Sequence, residues 1–452
     1  MSITSLIFLF TFLPLSLAVY YITPKKVKEY VILAVSIFFY SIGDPKFIIL
    51  FILLILLTVI LGRIIDRLSE SKARKVLFIA GILINALSLI FFKSGLGNYL
   101  LPLGISFYTF KAISYLADVY NHKIKLDNSP IHDAVYLSFF GQVLSGPLTR
   151  YCEMSTPELN IPVISEGVYR FMTGFCKKVL IADVLSKITN EIFSAPMADL
   201  STSYAWLGAI CYSLELFFDF AGYTDMAVGI SKMFGYGCKE NFNYPYMTES
   251  VSKFWRRWHI SLSEWFRDYI YIPMGGSRCS NKFKVILNLF VVWLLTGLWH
   301  GTSWNFVIWG LGYFALITFE HMTGLPGKLK IQPLRVLYRI LSLLFINFEW
   351  VLFRSENLIS GLKYIKHMII FRSNQISDFR TVFLFRDYMF FIIMAVLFCF
   401  PVVPFLEKKT SSNKILHTIF DIASALVIVF GFIWAISFIV AGQNNPFAYA
   451  NF

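Results

Sequence analysis

Imidazole is the side chain whose ordinary pKa lets it exchange a proton near neutral pH, and two histidines of this chain lie beside long apolar runs. His300 sits in "LLTGLWHGTSWNF" (294–306), directly after an apolar run and between Trp299 and Gly301. There its neighbours would exclude water, the glycine would permit close approach of a substrate, and a neutral ring could take a proton from a hydroxyl as a general base. His259 sits in "RRWHISLS" (256–263), one helical turn before Ser263, a place suited to positioning a ligand. Either histidine could instead satisfy a hydrogen bond in a polar seam between helices. Around the pair, Arg256, Arg257, Trp258, Ser263, Trp299 and Asn305 are the candidate substrate-binding residues.

The block from 254 to 271 alternates Trp255, Trp258, Trp265, Phe266, Tyr269 and Tyr271 with Arg256, Arg257 and Arg267. Such a mixture is also what an interfacial aromatic belt beside positive loops looks like. The turn that follows, "IPMGGSR" (272–278), is rich in backbone N–H groups beside a guanidinium and could hold an anion such as a phosphate. A second constellation, "SLELFFDFAGYTDMAVG" (213–229), embeds Glu215, Asp219 and Asp225 in apolar sequence, with Glu215 and Asp219 four apart on one helix face. These carboxylates must meet partners inside the protein: a proton or cation relay is one reading, and pairing with Arg256, Arg257 or the midspan lysines Lys177 and Lys178 is the plainer one.

The elements that carry these residues are membrane helices. The composition is 57% hydrophobic and only 15% charged over 452 residues, more apolar surface than one soluble core could bury. Runs at 47–61, 76–92, 388–405 and 415–441 have spanning length or close to it. The fold class read from this pattern is an all-α polytopic membrane protein forming one domain, with N-terminal spans (1–120), a core (133–320) and C-terminal spans (336–452). The first apolar stretch lacks a basic leader and a small-residue cleavage site, so it is expected to stay as a span. Six scattered cysteines form no metal-ligand spacing or disulfide framework, and no metal or bound cofactor is expected.

The net charge of +13 could point to nucleic acid, but its placement fits membrane lipid instead. The loops at 24–28, 63–75 and 120–132 hold ten Lys/Arg and the alternate loops two, which puts the N-terminus outside and those loops in the cytoplasm. Spans are expected near 3–22, 29–43, 46–62, 76–92, 100–119, 168–190, 204–235, 285–299, 303–320, 336–353, 388–406 and 415–441. Residues 133–148 are too short to cross and end in Gly146-Pro147, which predicts a segment that enters and turns back. The 249–284 stretch, with seven Lys/Arg against three acids, then falls on the cytoplasmic side, and 354–370 reads as an amphipathic surface helix.

Several motifs in one order, "LPLGISFYTFKAISYLADVY" (101–120), "FFGQVLSGPLTR" (139–150), "FFDFAGYTDMAVG" (217–229), "NFNYPY" (241–246), "FWRRWHISLSEWFRDYIYIPMGGSR" (254–278), "TGLWHG" (296–301) and "WVLFRSENL" (350–358), resemble the membrane-bound O-acyltransferases, in particular their bacterial polysaccharide-acetylating branch. The tail "NPFAYANF" is similar to the aromatic C-terminus of that branch. The resemblance implies a ring of about 11–13 helical segments around a thinned core, with His300 as the catalytic histidine and His259 as the family's second one. It further implies acetyl-CoA as the acyl-donor substrate, a glycan acceptor outside a bacterial cytoplasmic membrane, and an extracytoplasmic partner of hydrolase-like (SGNH) fold. D-alanyl transfer to teichoic acid from a carrier protein is the alternative within the family, since its D-alanyl members share the WRRWH block and the WHG histidine but usually depart from "DYIYIPMGGSR". A transporter of acyl or lipid-linked sugar groups is the alternative outside it, although the chain lacks the two similar halves such proteins often show.

Overall fold

The computed structural model describes residues 1–94, 100–126, 129–154, 160–279, 281–370, 376 and 378–442. Every regular element among them is helical and no strand occurs, as the sequence pattern requires. The tail 445–452 lies outside the described residues. Among the described residues seven helices are long and apolar enough to cross a membrane: Ile48–Arg67, Lys72–Lys93, Lys282–His300, Trp304–Thr323, Gln332–Arg354, Phe379–Phe398 and Lys414–Val440. With their backbone bonds satisfied internally, such helices suit a hydrocarbon environment. The protein is a multi-pass membrane protein.

The described residues pack as two compact units, one drawn from Met1–Phe175 and Tyr223–Glu240, the other from Cys176–Gly222 and the described residues after Glu240. The core of the first is Ile105–Tyr120, a helix expected to be a span but buried along nearly its whole length. It packs closely because Gly62 leaves room where a Cβ would meet the Tyr115 ring at 2.3 Å. Against it lies the segment expected to turn back. It is a helix, Pro130–Ser138, a break at Phe139, a single turn Phe140–Val143, and irregular backbone through Gly146 at φ 115°.

That broken path is pinned by polar side chains. Asp133 accepts from Arg63 at 2.6 Å and from Tyr151 at 2.9 Å. Lys111 donates to the Tyr136 carbonyl and to Gln142 at 2.9 Å, Gln142 donates to Ser231 at 3.0 Å, and Ser36 accepts the Phe140 N–H. Non-helical backbone buried away from water persists only where its groups find such partners.

In the second unit a helical run from Lys177 to Ser194, opening as a π-helix over Lys177–Ala182, packs beside the long apolar helices. The expected 388–406 span is displaced: the helix is Phe379–Phe398, and a separate exposed helix Val402–Thr410 follows Pro401. Arg380, Arg386 and Asp387 read as loop residues in the sequence but occupy its first turns, because Asp378 caps the helix by accepting the Thr381 N–H at 2.8 Å. Proline, which lacks an N–H, follows the stop. The amphipathic helix expected after 354 is Leu358–Ile369, whose Tyr364 hydroxyl donates to the Ala205 carbonyl at 2.9 Å.

Candidate functional site

His300 is the last residue of Lys282–His300 and is 5% exposed. Its ring is enclosed by Trp299 (centroids 4.4 Å apart), by Trp309 edge-on at 5.0 Å and by Phe353 at 5.0 Å. Two further helices, Trp304–Thr323 and Gln332–Arg354, supply the last two rings. The sharp return between His300 and Trp304 is possible because glycines let the helices touch. A Cβ on Gly297 would lie 2.6 Å from the Phe306 carbonyl oxygen, and one on Gly310 would lie 2.5 Å from that of Trp293. Gly301 was expected to admit a substrate, but the space beside it holds the Phe306 ring, which a Cβ would meet at 2.4 Å.

Asn305 is committed to the same corner. Its amide donates to the carbonyls of Ser355 at 2.8 Å and Leu352 at 3.3 Å, and its oxygen accepts from Ser303. This clamps the helix end that carries Phe353 against the histidine cage.

His259, 2% exposed, is built differently. It is in the left-handed region at φ 44°, between the short helices Val251–Trp255 and Ile260–Phe266. Asn241 sets that turn: its side-chain oxygen accepts from the Ser261 N–H at 3.1 Å and the Ser261 hydroxyl at 2.8 Å, and lies 3.2 Å from His259 Nδ1. Its own carbonyl accepts the Ile260 N–H at 2.9 Å. The Phe220 ring meets the imidazole edge-on at 4.6 Å, and Nε2 has no hydrogen-bond partner among the described residues. Burial without a carboxylate partner holds this imidazole below its ordinary pKa, and therefore neutral.

Trp258, fully buried, links the two histidine regions, packing on Phe242 at 5.1 Å and on Trp350 at 4.9 Å, which in turn touches Phe353. The WRRW block is thus a packed core of rings as well as a basic surface.

Arg256 and Ser263 line a cavity of about 570 Å³. Lys253, Arg256 and His321 are among the polar residues that line it, together with Trp255, Trp293 and Thr296. Thr296 is four residues before His300 on the same helix face. Trp255 and Trp293 pack on Trp309, the ring that faces His300. Glu320, another lining residue, accepts the N–H groups of Val251 (2.9 Å) and Ser252 (2.8 Å) and the Tyr338 hydroxyl (2.7 Å). Lys253 pairs with Glu249, whereas Arg256 is exposed and engages no carboxylate among the described residues. Arg257 and Trp258 do not line this cavity.

In the Gly-Gly turn that could hold an anion, two backbone N–H groups are already engaged by nearby carbonyls. Gly275 donates to the Ile272 carbonyl at 2.9 Å and Met274 to that of Ile270 at 3.2 Å. The embedded carboxylates resolve toward the plainer reading. Asp219 and Asp183 both lie 2.6 Å from Lys178 Nζ, Asp225 pairs with Arg170 at 2.7 Å, and Glu215 accepts from Thr189. Arg256 and Arg257 are left for other work. Among the described residues no group of His, Cys, Asp and Glu could hold a metal ion.

This geometry gives a shielded imidazole, one helical turn from a cation-edged cavity, in a multi-pass membrane protein. Residues 128–353 match the profile of the MBOAT, or membrane-bound O-acyltransferase, family. The chain belongs to that family and is an acyltransferase. It is 35% identical to the probable alginate O-acetylase AlgI of Pseudomonas aeruginosa over 84% of this chain and 76% of the relative. It is 31% identical to the peptidoglycan O-acetyltransferase of Helicobacter pylori over 99% of this chain and 96% of that protein. The teichoic acid D-alanyltransferase of Bacillus subtilis is 32% identical over 57% of this chain and 68% of its own length.

Proposed function

We propose that the protein moves an acetyl group from a cytoplasmic thioester donor, acetyl-CoA, to a hydroxyl acceptor, so that an extracytoplasmic polysaccharide or cell-wall glycan becomes O-acetylated. His300 acts as the general base toward the hydroxyl. As the acceptor oxygen bonds to the acetyl carbon, the carbon–sulfur bond breaks, and the proton passes from the imidazole to the departing thiolate. The observation that supports this reading is the position of His300 in a cage of rings one helical turn beyond Thr296, which lines a cavity also lined by Arg256, a cation with no carboxylate partner among the described residues. A guanidinium there suits the phosphates of a nucleotide-bearing thioester. His259, neutral and fixed by Asn241, supports the core between the two faces rather than taking the first proton. The protein works in a bacterial cytoplasmic membrane, N-terminus outside, beside an extracytoplasmic hydrolase-like partner that passes the group to the glycan.

Acetyl transfer is favoured over D-alanyl transfer because the relatives named for O-acetylation match 84% and 99% of this chain, against 57% for the D-alanyl relative. The test is transfer of labelled acetyl from acetyl-CoA by purified full-length protein. Removing a general base costs about 10²- to 10⁴-fold in rate. A folded His300→Ala protein that still transferred acetyl near the wild-type rate would end the reading, and so would transport of an acyl group with no bond cleavage.

A further inference from the structure

We propose that Trp309 is a further catalytic residue: its indole N–H donates to the acyl carbonyl oxygen as negative charge develops there. The inference rests on His300 being the base. When a hydroxyl attacks a thioester, the carbonyl oxygen becomes an oxyanion, and the largest single aid to such a step is a preorganised donor in a water-excluded site. Among the three rings that enclose His300, an indole N–H is the donor type on hand.

Trp309 meets the requirements. It is fully buried, its ring lies edge-on to His300 at 5.0 Å with an interplanar angle of 82°, and its Nε1 has no hydrogen-bond partner among the described residues. Buried donors are nearly always satisfied, by protein, water or ligand, so an indole that meets the candidate base edge-on while its N–H has no partner among the described residues is a donor open to a group that arrives. Its place is held from both sides. Gly310 packs directly on the Trp293 carbonyl, and Trp309 touches Tyr313 at 5.2 Å and Trp350 at 6.2 Å. Trp255 and Trp293, which line the cavity, also pack on Trp309, so this indole touches both the cavity's lining residues and the histidine.

The step balances without any further reactant. The acceptor oxygen bonds to the acyl carbon, its proton goes to His300, and the carbonyl π electrons move onto the oxygen that Trp309 holds. Collapse re-forms the carbonyl, expels the thiolate, and returns the proton to sulfur.

Trp309→Phe keeps an aromatic ring and deletes the N–H. With acetyl-CoA as the probe and the full chain in detergent, we expect kcat to fall about 10²- to 10³-fold with donor KM within about 3-fold of wild type, the signature of lost transition-state stabilisation. Trp350→Phe is the matched control. That indole is also fully buried and its Nε1 also has no partner among the described residues, but it packs on Trp258, Phe353 and Trp309, whereas Trp309 itself meets the His300 ring. It should lose far less activity at a similar melting temperature. If Trp309→Phe retains kcat within about 3-fold, or if both variants fall equally, the N–H of Trp309 has no special role and the proposal is overturned. Should Trp309→Phe fail to fold, 7-azatryptophan incorporation, which alters the acidity of the N–H in an otherwise isosteric ring, replaces it, and an unchanged kcat there overturns the proposal equally. His300→Ala separates the two claims: if it is inactive while Trp309→Phe is fully active, only this inference falls.

Discussion

Gly297 is where packing and chemistry are tied most directly, and replacing it with alanine measures the tie. The added methyl would stand 2.6 Å from the Phe306 carbonyl oxygen, about 0.8 Å inside an ordinary contact of 3.4 Å. The obstacle is backbone, so no rotamer change relieves it, and Lys282–His300 and Trp304–Thr323 must part by a similar amount. Two stability effects oppose one another. Overpacking costs about 1–3 kcal/mol, while Ala in place of Gly inside a helix returns about 1 kcal/mol. The net is a loss between zero and about 2 kcal/mol, a shift of a few degrees in melting temperature for a chain of this size. Activity should suffer more. Gly297 lies one turn before His300, and a displacement near 1 Å between reacting groups costs about 10²-fold, equivalent to about 2.7 kcal/mol of barrier. Gly297→Ala in detergent should therefore retain a cooperative melt while its acetyl transfer from labelled acetyl-CoA falls by one to two orders of magnitude. Transfer at the wild-type rate by folded Gly297→Ala would show that the close approach at Phe306 does not place His300.

The remaining expectations concern the charged groups and the second histidine. Lys178→Met leaves Asp183 and Asp219 facing each other in the interior, so it should destabilise by about 3–5 kcal/mol, with part of the loss recovered by adding Asp219→Asn. A thermal melt of the single and double variants reads this, and absence of rescue would show the triad is not the cause. Arg256→Ala should raise the KM for acetyl-CoA about 2- to 5-fold, since an exposed ion pair is worth at most about 1 kcal/mol, and the effect should shrink at high salt. An unchanged, salt-independent KM would remove Arg256 from the donor site. Asn241→Ala strips the acceptor from the Ser261 N–H and hydroxyl, for a loss of about 1–3 kcal/mol in stability. Because the folded protein holds His259 below its ordinary value while the unfolded chain does not, stability is full above about pH 6.5 and falls as pH drops further, when only the unfolded state takes up the proton. His259→Gln should flatten that acid limb, and a melt as acid-sensitive as wild type would assign the sensitivity to other groups.

Much of this was legible in one dimension. Uninterrupted apolar length is a local property, and a membrane span satisfies its backbone within itself, so helices such as Ile48–Arg67, Lys282–His300 and Gln332–Arg354 follow from sequence with small errors at their ends. The misplaced helix around 388 shows the limit. Charged residues at 380, 386 and 387 argue locally for a loop, and only the Asp378 cap, a D-x-x-T signal, carries the helix back to Phe379. The chemistry of the site was legible as residue types: a histidine between Trp and Gly, a basic aromatic block, carboxylates in apolar sequence.

What no local reading supplies is who meets whom. The partner of Asp219 is Lys178, 41 positions away, and the wall facing His300 comes from Phe353, 53 positions away, because the folding of distant helices against one another sets those distances. Gly301 illustrates the same point from the other side: sequence shows that a side chain is missing there, and only packing shows that Phe306 fills the gap. Periodicity and composition act along the chain and fixed the class of protein. Contacts act across it, and they alone decided that an imidazole meets a buried indole whose neighbours line a cavity edged by a guanidinium.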